Sequence, residues 1–299
     1  MEFLNTYFGL SSYYLLVLGV NLVITALVLI AIRFVIGMIS NVKMIDGLSL
    51  ENNPAMGISL AGIIFAVGII MTGVIGGEAS DNLIKEIVSV SVSGIIGIIL
   101  VFSSRVIFDK ISIPKFKMRD AIMQGNIAVS VVDAGNVIAS ALIIKSVFLV
   151  IDTTTTNLII IGLGSFIVSQ LLLTIASYYR IFFYNRAHGR SLQDNIIKGN
   201  IALALRFAGF RIGMAFAISG ALTLAPLSMD ILAWSLLIWL GVSLVQMLLV
   251  IVFSFICDKV LLMGIDTRDE VDNKQNIAVG ATQAALTSAI GLIIFTLVS

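Results

Sequence analysis

The chain has little of what soluble enzymes and secreted domains are built from. Only 12% of its 299 residues are charged, about half the share of a soluble domain. There is one cysteine, Cys257, so no intramolecular disulfide can form. It has no basic neighbour that would clearly activate its thiol, and it reads as inert. His188 is the only histidine. A metal site built from clustered histidines and cysteines therefore has nothing to draw on. The formal net charge of +1 lacks the concentrated basic surface that a nucleic-acid partner needs. No H-E-x-x-H, G-x-S-x-G, phosphate loop or carboxylate dyad is present, so neither an enzyme nor a bound cofactor is expected. The opening MEFLNTYFGLSSYY carries Glu2 and no basic residue before its first apolar run. It lacks the positive start of a secretory signal and reads as leading into a retained span.

What the chain does have is apolar length. Its residues are 59% hydrophobic, with a mean hydropathy of +1.10, more than a soluble core of this size could hide. A helix needs about 20 apolar residues to cross the hydrocarbon core. Eight stretches qualify, at about 13–38, 54–76, 83–108, 121–148, 155–183, 200–226, 229–257 and 276–298. Continuous runs of this kind satisfy their backbone in lipid as helices. The expected fold is an all-α polytopic membrane protein. Fourteen of the 18 Lys and Arg, from Arg33 and Lys43 to Arg268 and Lys274, lie at or near the connections after odd spans. Only Lys85, Lys145, Arg206 and Arg211 fall elsewhere. The positive-inside rule makes those connections cytoplasmic and puts both termini on the other side.

The spans repeat. Asn53, Asn126, Asn200 and Asn276 each open an even span, at spacings of 73, 74 and 76 residues. Two residues on stand Ala55, Ala128, Ala202 and Ala278. Eight on stand Ala61, Ala134, Ala208 and Ala284, and nine on stand Gly62, Gly135, Gly209 and then Ala285. Four two-helix units follow, about 10–78, 79–150, 151–227 and 228–299. Two helices per unit is an even number, so the units are parallel repeats within one membrane domain. This N-[IVP]-A-x-x-x-x-x-A-G frame resembles the YjfL-like family of bacterial inner-membrane proteins, here as four units in tandem. The last unit departs from it at Ala285, and the first reads NPAMGISLAG. The resemblance implies a cytoplasmic-membrane location and a domain without established activity.

Each repeated position invites a physical reading. The asparagines suit helix N-caps, and Pro54 stands at the favoured first helical position. A ring of four amides at a cytoplasmic vestibule is the alternative. Offsets +2 and +9 share a face at about 100° per residue, giving a small-residue packing seam. Offsets +7 and +11 lie opposite the seam and carry Asp133, Gln283, Arg211 and Thr287. If four units surround one axis, these groups converge. Arg211 lies roughly 16 Å past its asparagine, near the bilayer centre, and Asp133 about 10 Å past its own. Asp133 is then the natural counter-ion of Arg211, with Asn136 and Gln283 flanking an intramembrane cluster. This pair either marks a polar path or only fixes helix register. Arg206, about 9 Å deep, can snorkel to the interface, and Thr287 can bond its own backbone.

Gln170 and Gln246, at equivalent positions in odd spans, suit interhelical hydrogen bonds. Asp109-Lys110 and Asp258-Lys259 read as interfacial anchors, and DTRDEVD at 266–272 as a solvated linker. Lys110, Lys115, Lys117 and Arg119 are placed to touch anionic headgroups among the surrounding lipids. Homo-oligomerisation is left open. Two functions fit: a permease or channel-like protein using the cluster, or a scaffold that recruits cytoplasmic proteins, as in a membrane-stress system.

Overall fold

The computed structural model describes residues 12–40, 48–49, 52–77, 80, 82–151 and 157–299. The N-terminal residues with Glu2, and Lys43, lie outside these. The described residues form α1 (Ser12–Ser40), α2 (Pro54–Ile75), α3 (Leu83–Ile107), α4 (Met118–Met123), α5 (Ile127–Val150), α6 (Asn157–His188), α7 (Leu192–Ile197), α8 (Ile201–Leu224), α9 (Leu232–Leu261), α10 (Thr267–Asp272) and α11 (Ile277–Val298). Eight of these helices are long and apolar enough to cross a membrane. The protein is all-α and multi-pass.

Where the expected fourth span began at 121, the chain instead makes the short α4, turns, and starts α5 at Ile127. The turn has a backbone cause. Gly125 has φ +84° and Gly199 φ +96°, each just before its capping asparagine, in the left-handed region that glycine enters without strain. Asn52 and Gln275 take the same conformation in the first and last units. The stretch 266–272, expected as a solvated linker, forms α10, because the Asp266 carboxylate accepts from the Arg268 and Asp269 N–H groups and caps it. The acidic side chains are themselves engaged. The Lys274 ammonium holds the Glu270 carboxyl below its ordinary range, and the Asn273 amide does the same for Asp269.

The even spans α2, α5, α8 and α11 pack in that order as a row, through the most extensive interfaces in the molecule. Three odd spans form a second layer over the grooves: α3 on α2 and α5, α6 on α5 and α8, and α9 on α8 and α11, while α1 packs against α3 and α2. Among the described residues, α2 and α11 share no extensive contact, so the four units make an open row and surround no common axis.

The row is held at the repeated small residues, and the register is more specific than a shared seam. A Cβ on Gly62 would lie 2.6 Å from the Ala134 Cβ, and one on Gly135 2.5 Å from the Ala208 Cβ. Gly209 meets Ala284 in the same way. Glycine at +9 of each unit thus receives the alanine at +8 of the next. Close backbone approach supplies the dispersion contacts that hold helices together where lipid is as apolar as leucine. Ala285 departs from the pattern at the one unit with no successor, and both it and Ala278 are exposed. At the other end Ala61, with no preceding unit, is exposed too.

The asparagines work at both ends of their amides. The Oδ1 atoms of Asn53, Asn126, Asn200 and Asn276 accept from the N–H groups of Met56, Val129, Leu203 and Val279. The Nδ2 atoms donate onward to the next unit: Asn53 to Ile122 O at 3.0 Å, Asn126 to Ile197 O at 2.7 Å, Asn200 to Val271 O at 2.9 Å. Asn276 has no following unit, and its amide turns back to Glu270 Oε2. These donors are committed to inter-unit bonds, so no ring of free amides forms.

Replacing Gly209 by leucine should force α8 and α11 apart and lower stability by about 2 kcal/mol or more. Leucine at the exposed Ala285 should change it by less than about 0.5 kcal/mol. Thermal unfolding of both variants in detergent checks the contrast.

Candidate functional site

Asp133 is fully buried on α5, about two helical turns past its cap, and its partner is not Arg211. Arg105, near the end of α3, places Nε 2.9 Å from Oδ1 and Nη2 2.7 Å from Oδ2. This is the two-pronged geometry that makes Arg–carboxylate pairs directional. The Ser59 hydroxyl of α2 donates to the same Oδ2 and accepts from Arg105 Nη2 at 3.2 Å. The site therefore joins three helices across the junction of units one and two. Arg105 keeps 26% of its side chain exposed, Asp133 none.

Arg211 sits elsewhere, with only 1% of its surface exposed. Its Nη2 donates to Asn136 Oδ1 at 2.7 Å, and its Nη1 to Leu173 O at 3.0 Å and to the Ser177 hydroxyl. Its guanidinium carbon lies 4.3 Å from the Phe108 ring centre, a favourable place for a desolvated cation. The expected Asp133–Arg211 pair is thus replaced by Asp133–Arg105 and Arg211–Asn136. The reason is architectural. In an open row, the polar faces of successive units look into different grooves and meet different odd spans.

Gln283 follows the same rule, donating to Asp258 Oδ1 at 2.8 Å and Oδ2 at 3.0 Å on α9. The Thr287 hydroxyl bonds back to Gln283 O at 3.0 Å. So Asp133, Arg211, Asn136 and Gln283 fall into three separate groups. Gln170 reaches the Ser140 and Ser169 hydroxyls only at 3.5 and 3.4 Å. Gln246, expected to bond between helices, has neither amide atom bonded among the described residues, and its Oε1 packs beside Gly220 instead. Asp109 and Asp258 are structural acceptors more than anchors: Asp109 takes the Met118 N–H that begins α4.

Three contacts had no evident signal in the chain. Trp239 Nε1 donates to Ile218 O at 3.0 Å, tying α9 to α8. The buried Glu86 accepts from Asn21 at 2.9 Å and from the Ser80 N–H at 2.9 Å. His188 Nε2 meets Asp272 at 2.7 Å. That last pair, with Arg190 to Asn273 and Lys115 to Asp194 and Gln193, binds the short-helix segments into one layer at one face.

The family match follows the same geometry. The chain matches DUF350, a domain of unknown function, over residues 8–148 and again over 154–298. It belongs to the DUF350 family. No curated protein and no solved structure gives a significant match. Each DUF350 copy spans two of the four units, so the junctions of units one and two and of units three and four are sister sites. Arg211 and Asn136 bridge the seam between the copies. Counted from the capping asparagines, Ser59, Asp133 and Arg105 of the first copy correspond to Arg206, Gln283 and Phe255 of the second.

Double-mutant cycles on folding stability should separate the two arginines. Arg105→Met with Asp133→Leu should show coupling on the order of 2 kcal/mol or more, because either change alone strands a charge or its partner. Arg211→Met with Asp133→Leu should be additive within about 0.5 kcal/mol.

Proposed function

We propose that this DUF350 protein is a non-conducting scaffold of the bacterial cytoplasmic membrane and not an enzyme. Both termini lie on the non-cytoplasmic side, and the layer built on α4, α7 and α10 faces cytoplasmic partners. The YjfL-like resemblance and the distribution of Lys and Arg support that location and orientation. The observation that carries the reading is the burial of Arg211. A path using this cation would have to bring water or an anion to it. Instead the guanidinium is enclosed by Phe108, Asn136, Ser177 and the Leu173 carbonyl. The even spans meet backbone to backbone at Gly62, Gly135 and Gly209, with no room for a lumen between them.

The cytoplasmic layer supports the recruiting role. Its short helices are tied serially by the asparagine amides and by the Lys115–Asp194 pair. The result is a fixed platform, not a set of loose loops. Lys117 is exposed beside it. In this reading Lys110, Lys117 and Arg119 meet anionic headgroups at the rim, while Lys115 is shared with Asp194.

Reconstituted in liposomes, the protein should pass chloride and nitrate no faster than protein-free vesicles, and Arg211→Leu should not change that. Flux above background that falls in the variant would overturn the scaffold reading. A photo-crosslinker at Lys117 in intact cells should yield a discrete adduct with a soluble protein. The same probe at Leu297, at the opposite end of the fold, should not.

A further inference from the structure

The sister junctions differ in one chemical respect. In the first DUF350 copy the site carries its own anion, because Asp133 receives the Arg105 fork and the Ser59 hydroxyl. In the second copy an amide, Gln283, stands where the carboxylate was. An arginine, Arg206, stands where the serine was, and Phe255 takes the place of Arg105. All three line a cavity of about 160 Å³ between α6, α8, α9 and α11. Arg180, the counterpart of Arg33 in the first copy, lines it as well.

The cavity is short of acceptors. Neither Arg180 nor Arg206 has a hydrogen bond, or a carboxylate within 4.0 Å, among the described residues, and the buried Arg180 Nε is without a partner. Arg180 stacks over Phe210 at 5.7 Å from its centre. Asp258 is the one carboxylate in the wall, and it is occupied by both short bonds from Gln283. Asp272 lies outside the wall, with Oδ2 2.7 Å from His188 Nε2, and it acts on both arginines only through its charge, without a hydrogen bond to either. Among the residues that line the cavity, two guanidiniums face one carboxylate, and Asp272 behind them offers charge but no acceptor within 4.0 Å of either. A half-buried guanidinium without an acceptor is costly in a membrane, and the missing partner is what the first copy supplies internally.

We propose that this cavity binds a phosphate-type oxyanion, held by Arg180 and Arg206, with the Ser254 hydroxyl, itself unpartnered in the cavity wall, as a further donor. Guanidinium donors in a fork suit such oxygens. Arg206 and Gln283 lie six and seven residues past their capping asparagines, about 9–10 Å in, and arginine side chains lean back toward the helix N-terminus. A phospholipid headgroup at the interface and free phosphate both offer this chemistry. The site is independent of whether the protein acts as a scaffold.

Native mass spectrometry of the full chain, purified with equal phosphatidylglycerol and phosphatidylcholine, reads the lipid arm. Thermal unfolding with added inorganic phosphate, sodium chloride at matched ionic strength serving as control, reads the free-anion arm. The wild type should retain phosphatidylglycerol preferentially, or be stabilised by phosphate, and Arg180→Gln/Arg206→Gln should lose roughly tenfold of that preference. Asp258→Asn, which removes the wall carboxylate and keeps the shape, should bind more tightly. Retention that phosphate does not displace assigns the headgroup, and displacement assigns the free anion. No preference in either arm by the wild type, or equal binding by wild type and a folded double variant, overturns the proposal. If the double variant does not fold, unchanged or weaker binding by Asp258→Asn overturns it. None of these outcomes depends on flux or on a protein partner.

Discussion

The close approach of a glycine in one unit to an alanine in the next is the contact on which the whole assembly rests. Inside lipid there is no apolar surface to hide from water, so helices must be held by dispersion at short range and by polar bonds. A glycine at +9 lets the backbones come within reach, and the alanine at +8 of the following unit fills the space. Once these contacts set the spacing, each asparagine lies opposite the carbonyls that end the next short helix. One amide then caps its own helix and ties two units together. Placement of α3, α6 and α9 follows, because each finds a groove already formed between two even spans.

Within that frame the main polar groups of the repeat find partners on adjacent helices, while Gln246 and the Arg180 Nε do not. Asp133 is matched by Arg105, Arg211 by Asn136 and Ser177, and Gln283 by Asp258. Duplication made the sites, and divergence changed how they are satisfied. The first DUF350 copy keeps a complete ion pair, and the seam between copies buries a cation against an aromatic ring and neutral acceptors. The second copy keeps two cations and lets its carboxylate bond an amide instead. The two copies thus answer the same junction differently, and the seam between them buries its cation about 6 Å deeper.

Much of the fold could be read from the residues, because the signals were local or periodic. Span length, the repeated asparagines and the small-residue stripe all follow from a single helix and its copies. Partners did not follow. Helical angle says which face of α8 carries Arg211, but the direction of that face depends on how α8 is rotated in the assembly. The assumption of a shared axis sent Asp133 and Arg211 toward each other, whereas a row sends them to α3 and α6. Arg105 went unnoticed as a partner because it lies at the charged end of an odd span, among residues that the positive-inside rule already explained.

Row and ring also differ in what their ends require. In a ring every unit has a successor, and every unit would need glycine at +9. In a row the last unit has none. The observed exception falls there, at Ala285, and the Asn276 amide turns back on its own unit at the same end. Were a second copy to continue the row by the same contact, the methyl group of Ala285 would sit where the incoming alanine has to be. In the internal junctions a Cβ on the glycine would lie about 2.5 Å from that of the incoming alanine, closer than two real Cβ atoms come. The Ala285 methyl group thus stands on a face that no described helix covers, at the position where the internal junctions need glycine. An open-ended repeat would offer heterologous ends that generate filaments. The departure from the repeat thus falls at the one +9 position in the described row whose contact is not used.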